Sequence, residues 1–255
     1  MKFVIKTMDR INGLKRLTYA FLKEHLVEDN DIYLFVSTDV DKKLYQENFP
    51  DCNIILGPLG IVNIDNFIVD YFDEGERYIY LNDDIRGLYH APDKKKIIKI
   101  KDFWPLIETT FENMQLFNIS YAGLNPVLNP YFMAGGKPIK YDICIITDPF
   151  SFVVNNKNIK LTKFHIDKNY NDNSFSDYEK SILHFRDRGA ILRMNHYAVD
   201  VLYFNGAATS NRTKDNCLKT AHLMLEKYPS YISSIKNNKN GFFSLRMKRI
   251  KSTLY

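Results

Sequence analysis

The residues best suited to chemistry stand at the end of an apolar run. Residues 78–81 are Tyr-Ile-Tyr-Leu, and Asn82, Asp83 and Asp84 follow them directly. In open α/β sheets ligands bind at the carboxyl ends of strands, and two adjacent carboxylates with an amide suit a hard divalent cation. Asn-Asp-Asp is also common turn chemistry. An ordinary turn after a strand is therefore the alternative.

Two further polar groups follow predicted strands. Arg10 comes after the first strand and could pair with a diphosphate or contact a base; a surface arginine that caps a helix is the alternative. Asn63 and Asn66 follow a tight turn at 57–60, after the third strand. The chain contains neither GxGxxG nor GxxxxGK[ST]. The chain therefore lacks the motifs most typical of dinucleotide-binding dehydrogenases and P-loop NTPases.

The elements that must position these residues alternate along the first half of the chain. Predicted strands are residues 3–7, 31–37, 53–57 and 77–82, and predicted helices are residues 13–28, 39–49 and 61–72. Continuous apolar strands separated by helices indicate a parallel sheet that is covered on both faces. Asp39 is the predicted cap of the second helix.

The second half has a different pattern. Predicted helices are residues 104–117, 175–188 and 213–228, and strand-like segments are residues 119–124, 140–147, 150–154, 191–194 and 198–204. Short turns link these strands, so this half is predicted to be mixed or antiparallel. Because no repeat and no flexible linker interrupts the chain, the sequence predicts a single α/β domain.

The net charge of +5 is unevenly distributed over the 255 residues. Residues 236–255 contain six Lys or Arg and no Asp or Glu. This tail could meet a polyanion, or it could be a solvated and partly frayed terminus. The sequence shows no signal peptide, no apolar run of membrane-spanning length and no cysteine pattern typical of zinc or disulfides. A cytoplasmic location is expected, or the host cytoplasm if the chain is viral.

The alternating start and the acidic triplet resemble the GT-A glycosyltransferases, whose DxD motif holds a nucleotide-sugar diphosphate through Mn²⁺ or Mg²⁺. Here the first acidic position is Asn82, which leaves Asp84 as the surest metal ligand. Segments 60–84 and 175–195 are also similar to the TET/JBP-associated glycosyltransferases of phages, large viruses and kinetoplastids. That resemblance implies a GT-A-like fold, with a Rossmann-like parallel sheet, and sugar transfer to hydroxymethyl pyrimidines in DNA.

The resemblance also implies roles for individual residues. Asn82 and Asp84 would meet the metal; Arg10, Asn63, Asn66, Asp83 and Arg212 would hold the nucleotide sugar, UDP-glucose or similar. Asp177 would be the base of an inverting transfer, at the acidic position before a helix. Its alternative role is structural, because residues 176–179 (SDYE) also form a capping box, with Glu179 as the partner. His165 and His196 are conceivable extra metal ligands.

The leading hypothesis is therefore a metal-dependent glycosyltransferase with modified double-stranded DNA as acceptor and no membrane partner. Residues 1–100 would bind the nucleotide sugar, residues 101–235 the acceptor, and residues 236–255 would form a basic tail. A GT-A transferase that acts on a glycan, lipid or protein is one alternative. The other is a non-catalytic DNA-binding module, for which DNA binding without nucleotide-sugar hydrolysis is the discriminating observation.

Overall fold

Strands and helices alternate along the first half of the chain, as the hydrophobic pattern predicts. In the computed structural model, residues 1–166, 171–202, 213–238 and 242–254 are described, with the backbone alone at 171 and 172. The strands are β1 (Lys2–Lys6), β2 (Ile32–Val36), β3 (Asn53–Leu56), β4 (Arg77–Leu81), β5 (Ile85–His90), β6 (Ile98–Lys99), β7 (Tyr121–Leu124), β8 (Ile139–Lys140), β9 (Phe150–Val154), β10 (Phe164–His165), β11 (Asn171–Asp172), β12 (Leu192–Met194), β13 (Tyr197–Val201), β14 (Ile232–Asn237) and β15 (Phe243–Met247). The helices are α1 (Ile11–Leu14), α2 (Ala20–Glu24), α3 (Asp39–Asn48), α4 (Ile61–Tyr71), α5 (Trp104–Leu116), α6 (Pro130–Met133), α7 (Ser176–Arg188) and α8 (Lys214–Lys227).

Eight strands form the main sheet, in the order β3-β2-β1-β4-β9-β7-β12-β8. The first four of these are parallel to one another. Strand β9 runs antiparallel to both β4 and β7, while β12 is parallel to β7 and antiparallel to β8. The predicted α/β fold, with a parallel N-terminal sheet and a mixed C-terminal half, is confirmed.

Both faces of the main sheet are buried. Phe3 and Ile5 of β1 pack on the face that also holds residues of α1, α2, α3 and α5. Val4 packs on the other face, with residues of α4, α7 and α8. Helices on both sides explain the continuous apolar strands of the sequence. The ends of the strands are the places where this sheet can meet a ligand.

A small antiparallel sheet begins at the acidic motif. Strand β5 starts at Ile85, directly after Asp84, and lies between β13 and β6. The hydrophobic pattern predicts no strand at residues 85–90, so β5 is a new finding. The Leu202 N–H, at the end of β13, donates to the Asp84 carbonyl oxygen at 3.2 Å. The second sheet therefore fixes the backbone at the end of the acidic motif.

Two local predictions are wrong. Residues 140–147 form no strand beyond β8, although Ile143, Cys144 and Ile146 are buried. The backbone N–H of Ile146 donates to the Ser181 hydroxyl, so a side chain replaces a strand partner there. The cap of α3 is Thr38, whose hydroxyl accepts from Asp41 N–H, and Asp39 is the first residue of the helix. An apolar run predicts burial, and here the residues are buried without pairing to a neighbouring strand.

The described residues of the C-terminal segment, 232–238 and 242–254, pack on the rest of the fold. Strands β14 and β15 pair antiparallel, and Leu245 is 5% exposed in the core that includes α8. Further on, the Thr253 N–H donates to the Gly189 carbonyl at 3.0 Å, and Lys251 pairs with Asp142 at 3.1 Å. The prediction that residues 236–255 contact a polyanion stays open, but β14 crosses the 235/236 boundary.

Replacing Leu245 by alanine should lower the free energy of unfolding by about 2–4 kcal/mol, because a buried leucine leaves a cavity. The neighbouring Arg246 is exposed, and Arg246→Ala should change the stability by less than about 0.5 kcal/mol. Urea unfolding followed by circular dichroism measures both. Equal stability of the two variants would show that the hairpin does not pack on the core.

Candidate active site

The acidic motif after β4 is tied to the end of β1. Asp83 is 6% exposed. Its Oδ2 accepts a hydrogen bond of 2.8 Å from the Thr7 hydroxyl, and its Oδ1 accepts one of 2.8 Å from Arg10. Burial raises the pKa of Asp83, while Arg10 and Thr7 oppose the rise. Both oxygens of this buried carboxylate therefore have a protein partner.

Arg10 contacts both carboxylates of the motif. Its second terminal nitrogen lies 3.6 Å from Asp84 Oδ2. Asp9 has a φ of 54°, a left-handed conformation at the turn that leads from β1 to Arg10. Arg10 occupies the N-cap position of α1, yet its side chain makes no capping bond. Its guanidinium is directed at the motif, where a planar fork of donors can also meet diphosphate oxygens.

Asp84 carries an oxygen without a partner. Its Oδ1 is buried and has no hydrogen bond, and the residue as a whole is 7% exposed. Burial raises the pKa of the Asp84 carboxyl, and Arg10 opposes the rise. Burying an unpaired carboxylate oxygen is costly. Asp84 Oδ1 would therefore be stabilised by a positively charged partner.

A divalent cation fits this arrangement. Hard cations prefer carboxylate and amide oxygens, and Mg²⁺ usually binds one or two carboxylates and takes the rest of its shell from water and phosphates. Among the described residues, no three or more His, Cys, Asp or Glu side chains form a group that could hold a metal. Asp84, with Asp83 beside it, would thus supply part of a shell that substrate oxygens complete.

Asn82 is fixed through its backbone. Its carbonyl accepts a 2.7 Å hydrogen bond from the buried Thr18 hydroxyl, and Thr18 Oγ1 in turn accepts from Ile85 N–H at 2.9 Å. The Asn82 N–H donates to the Pro149 carbonyl at 3.3 Å. Thr18 lies in a π-helical segment, Lys15–Tyr19, between α1 and α2. This hydroxyl clamps the acidic motif at both ends, and the sequence analysis missed it.

A second charged group lies at the same edge, on the opposite face of the sheet. Lys6 precedes Thr7 at the end of β1, and successive side chains of a strand point to opposite faces. Lys6 Nζ lies 2.9 Å from Asp65 Oδ1 and 3.5 Å from Asp148 Oδ2. Lys180 of α7 lies 3.1 Å from Asp65 Oδ2 and 2.9 Å from Asp148 Oδ1. These four residues are the ion cluster.

Asp177 joins the ion cluster through Asp148. The two buried carboxyl groups lie close enough for each to shift the pKa of the other. Burial, and then the Asp148 carboxylate, raise the pKa of Asp177 well above its ordinary value. Burial also acts to raise the pKa of Asp148, but Lys180 and Lys6 outweigh it and lower that pKa. The two pKa values are therefore shifted in opposite directions, that of Asp177 upward and that of Asp148 downward.

The ion cluster and the acidic motif meet at one short segment. Asp148 belongs to the ion cluster, and the next residue, Pro149, accepts the backbone N–H of Asn82. Strand β9 begins at Phe150, opposite Leu81, the last residue of β4. Asp148 therefore lies one residue from the backbone group that contacts Asn82.

The predicted capping box at the start of α7 is wrong. The N-cap position is Phe175, and no side chain makes a capping bond there. Glu179 is fully buried, and its carboxylate accepts from the Thr162 N–H at 2.9 Å, from the Asn173 amide at 2.6 Å and from the Tyr228 hydroxyl. Its role is to tie α7 to α8 and to the preceding loop, and Asp177 is free of a capping role.

Asn63 and Asn66 are not brought to the acidic motif. The Asn63 amide donates to the Leu59 carbonyl at 2.8 Å, within its own helical turn. Asn66 both donates to the Leu161 carbonyl at 3.0 Å and accepts from the Leu161 N–H at 2.7 Å. Both polar atoms of the Asn66 side chain are thus used to hold a loop. Neither amide touches Arg10 or the acidic motif.

The remaining predicted site residues are Arg212, His165 and His196. Arg212, in the predicted diphosphate loop, lies outside the described residues. The rings of His196 and His90 lie 6.1 Å apart, and His196 Nε2 is buried without a hydrogen-bond partner. His165 lies in β10, away from this pair in the chain.

The ion cluster was missed because its members carry no local motif. Lys6 and Asp65 lie inside a predicted strand and a predicted helix, and Asp148 stands one residue before Pro149. The first signal in the sequence is helical spacing: Lys180 follows Asp177 by three residues, so both lie on one face of α7. A charged residue at the end of β1, beside the apolar run 3–5, is the second hint.

Replacing Lys180 by methionine should destabilise the fold by about 3–5 kcal/mol, because Asp65 and Asp148 would lose a buried partner. The side chain of Lys180 is 13% exposed. Lys219→Met is the matched control: that side chain is 46% exposed and pairs with Asp215 within α8, so less than about 1 kcal/mol is expected. Urea unfolding compares the two, and similar losses would contradict a special role for Lys180.

The fold of this chain is α/β, with a main sheet whose first four strands are parallel. Over 100% of this chain and 84% of the other, it is similar to the crystal structure of a mycobacterial protein, with a TM-score of 0.51 and 9% identity. An identity this low shows the fold alone. No protein-family model and no curated protein sequence matches the chain.

Two further structures are similar to it. S. aureus TarS 1-349 in complex with UDP matches with a TM-score of 0.47 and 10% identity, over 90% of this chain and 72% of that chain. The mannosyltransferase PcManGT from Pyrobaculum calidifontis, in complex with GDP-Man and Mn2+, matches with a TM-score of 0.40 and 12% identity, over 60% and 44%. In other matches the chain spans 59% of TarS 1-349 and 40% of TarS.

Among the described residues, no helix combines the length and the apolar character needed to cross a membrane.

Proposed function

We propose that this chain is a metal-dependent glycosyltransferase that takes its sugar from a nucleotide sugar, UDP-glucose or a similar donor. The observation that carries the proposal is the free, buried Asp84 Oδ1 beside the Arg10–Asp83 ion pair. It lies at the carboxyl edge of a GT-A-like sheet, where ligands of open α/β sheets bind. An oxygen that lacks a positive partner, next to an arginine, suits a bound cation and a diphosphate together.

The donor half of the site consists of four residues. Asp84 would hold Mn²⁺ or Mg²⁺, with Asn82 beside it, and Asp83 would meet the ribose or the metal. Arg10 would exchange part of its contact with the two carboxylates for the diphosphate, since it now shares one guanidinium between them. The bound cation would stabilise the negative charge that develops on the leaving diphosphate.

The acceptor half would use Asp177. An inverting transfer needs a base that removes the proton of the acceptor hydroxyl. Asp177 lies beside Asp148 and at the N-terminus of α7, where the helix end favours a negative charge. Only the ionised form of Asp177 would act as the base, and on taking the proton of the acceptor hydroxyl it would become the neutral acid that burial favours.

The proposed acceptor is a hydroxymethyl pyrimidine base in double-stranded DNA. The similarity of residues 60–84 and 175–195 to TET/JBP-associated glycosyltransferases supports it. A glycan, lipid or protein acceptor is the alternative outcome, and a DNA-binding module without catalysis is the second.

The test mixes the purified chain with UDP-glucose, Mn²⁺ and duplex DNA that contains hydroxymethyluracil or hydroxymethylcytosine. Mass spectrometry of the DNA should show the addition of one hexose. Unmodified DNA and free UDP-glucose alone are the controls. UDP release without a change in DNA mass would reject the DNA acceptor but keep the transferase, whereas neither UDP binding nor release would reject the enzyme.

A further inference from the structure

A basic loop of the small sheet is used by neither the acidic motif nor the ion cluster. Residues 92–99 comprise the loop after β5 and strand β6, contain Lys94, Lys95 and Lys96, and are all exposed. The backbone N–H groups of Lys95 and Lys96 donate to Asp93 Oδ1, at 2.8 and 3.1 Å. This turn fixes the backbone from which three consecutive lysine side chains project.

Two exposed aromatic side chains stand beside these lysines. Tyr131 and Phe132 of α6 are each 62% exposed, and their ring centroids are 5.5 Å apart. Lys94 Nζ lies 5.7 Å from the centroid of Tyr131. Met133 of the same helix packs on Ala91, at the end of β5, and so holds α6 against the loop. Residues 92–99 with Tyr131 and Phe132 are the lysine–aromatic surface.

The surface carries more positive than negative charge. Residues 92–99 contain four lysines and one carboxylate, Asp93, which interacts electrostatically with Lys95 and Lys96. Within the described part of the chain, Lys94, Lys95 and Lys96 have no ion pair within 4.0 Å, while Lys99 lies 2.9 Å from Glu24. An exposed excess of lysines attracts polyanions.

We infer that the lysine–aromatic surface binds a nucleic-acid strand, with the lysines on its phosphates and Tyr131 and Phe132 on unstacked bases. Lysine–phosphate contacts supply most non-specific affinity, and aromatic side chains stack on bases of any sequence. A membrane surface is less well matched. Interfacial binding uses an amphipathic helix of many residues, and α6 has 4.

The position of the surface suits an acceptor strand, and this step rests on the proposed function. Strand β5 begins directly after Asp84 and has 6 residues. At about 3.3 Å per residue its far end lies about 20 Å from the acidic motif. In a duplex the phosphates of one strand are spaced about 3.4 Å apart along the helix axis, so the lysines would contact the backbone about six base pairs from the reacting base.

Fluorescence anisotropy with a labelled oligonucleotide of about 20 nucleotides, single-stranded and duplex, tests the inference between about 50 and 200 mM salt. Lys94→Ala/Lys95→Ala/Lys96→Ala should weaken binding at least about tenfold and lower the salt slope by about 2. Tyr131→Ala/Phe132→Ala should weaken single-strand binding about 5- to 100-fold with the salt slope unchanged. The charge-matched control is Lys43→Ala/Lys157→Ala/Lys214→Ala, three exposed lysines elsewhere on the surface, which should change affinity less than about twofold.

Each result has a defined meaning. Equal losses in the lysine variant and the charge-matched control overturn the surface, as does binding to anionic phosphatidylserine vesicles without binding to the oligonucleotide. UDP binding with Mn²⁺, measured on the same variants, should be unchanged. If UDP does not bind but the oligonucleotide losses occur, the surface stands and the proposed function fails. If UDP binds and no oligonucleotide does, the surface fails and the transferase stands.

Discussion

Replacing Asp84 by alanine should abolish Mn²⁺-dependent binding of UDP. The variant removes the carboxylate oxygen that is buried without a partner, the position where a cation gains most. Loss of an indirect ligand-positioning group already costs about 10–100-fold in metal affinity, so loss of a direct ligand should cost at least about a hundredfold. Isothermal titration calorimetry of UDP, with and without Mn²⁺, measures the effect.

The fold should survive this substitution, because Arg10 keeps its 2.8 Å contact with Asp83. Asp51→Ala is the control, since Asp51 is an exposed turn residue. It should leave UDP affinity and thermal stability unchanged. An Asp84→Ala variant that is folded and binds UDP equally well with Mn²⁺ would remove the metal assignment, and with it the observation on which the proposed function rests.

The fold was predictable because a strand that is buried on both faces has a continuous run of apolar residues. Runs such as 3–7 and 31–37 are apolar without alternation, which is the pattern of a parallel sheet between helices, and the sheet confirms it. Strand β5 was not predictable in this way. Apolar and polar residues do not alternate regularly in Ile85–His90, which includes the exposed Arg86 and Gly87. Of its two partners, β13 lies far along the chain and β6 has only two residues.

The position of the acidic motif could be predicted from the sequence, but its contact partners could not. Asn82, Asp83 and Asp84 are consecutive, so their location at a strand end is visible in the sequence. Thr18 and Tyr45, which complete the surroundings of the motif, are ordinary helix residues whose importance depends on where α1, α2 and α3 fold. Local sequence contains no signal for such contacts.

The two predicted asparagines make contacts that their position in the sequence does not predict. Asn63 and Asn66 follow a turn after a strand, as ligand-binding residues often do, but their amides bind backbone atoms at Leu59 and Leu161. Polar side chains at a sheet edge have to satisfy nearby backbone groups as well as ligands. Residue type and position alone cannot separate the two uses.

Replacing Asp177 by asparagine should lower the rate of sugar transfer by about 10²–10⁴-fold, the usual contribution of a general base. UDP affinity should stay within about twofold, because Asp177 belongs to the acceptor half of the site. The amide can still donate to the ionised Asp148 carboxylate, so the shape of the ion cluster is kept. Asp187→Asn, at the exposed end of the same helix, should leave the rate unchanged.

The pH dependence gives a second readout for Asp177. Burial and the neighbouring Asp148 raise its pKa to about 8, and only the ionised form can accept a proton. The transfer rate should therefore rise with pH through neutrality, and below the pKa it should fall about tenfold for each pH unit. A base with an ordinary carboxyl pKa, near 4, would give a flat profile between about pH 6 and 8.

Removal of Lys180 should move this profile in a known direction. Lys180 lowers the pKa of Asp177 as well as that of Asp148, so a Lys180→Met variant that stays folded should need a still higher pH for transfer. A profile that does not move, or an Asp177→Asn variant that transfers sugar at the normal rate, would place the base elsewhere. Asp148, the carboxyl beside Asp177, is then the residue to replace, because the next residue, Pro149, contacts Asn82.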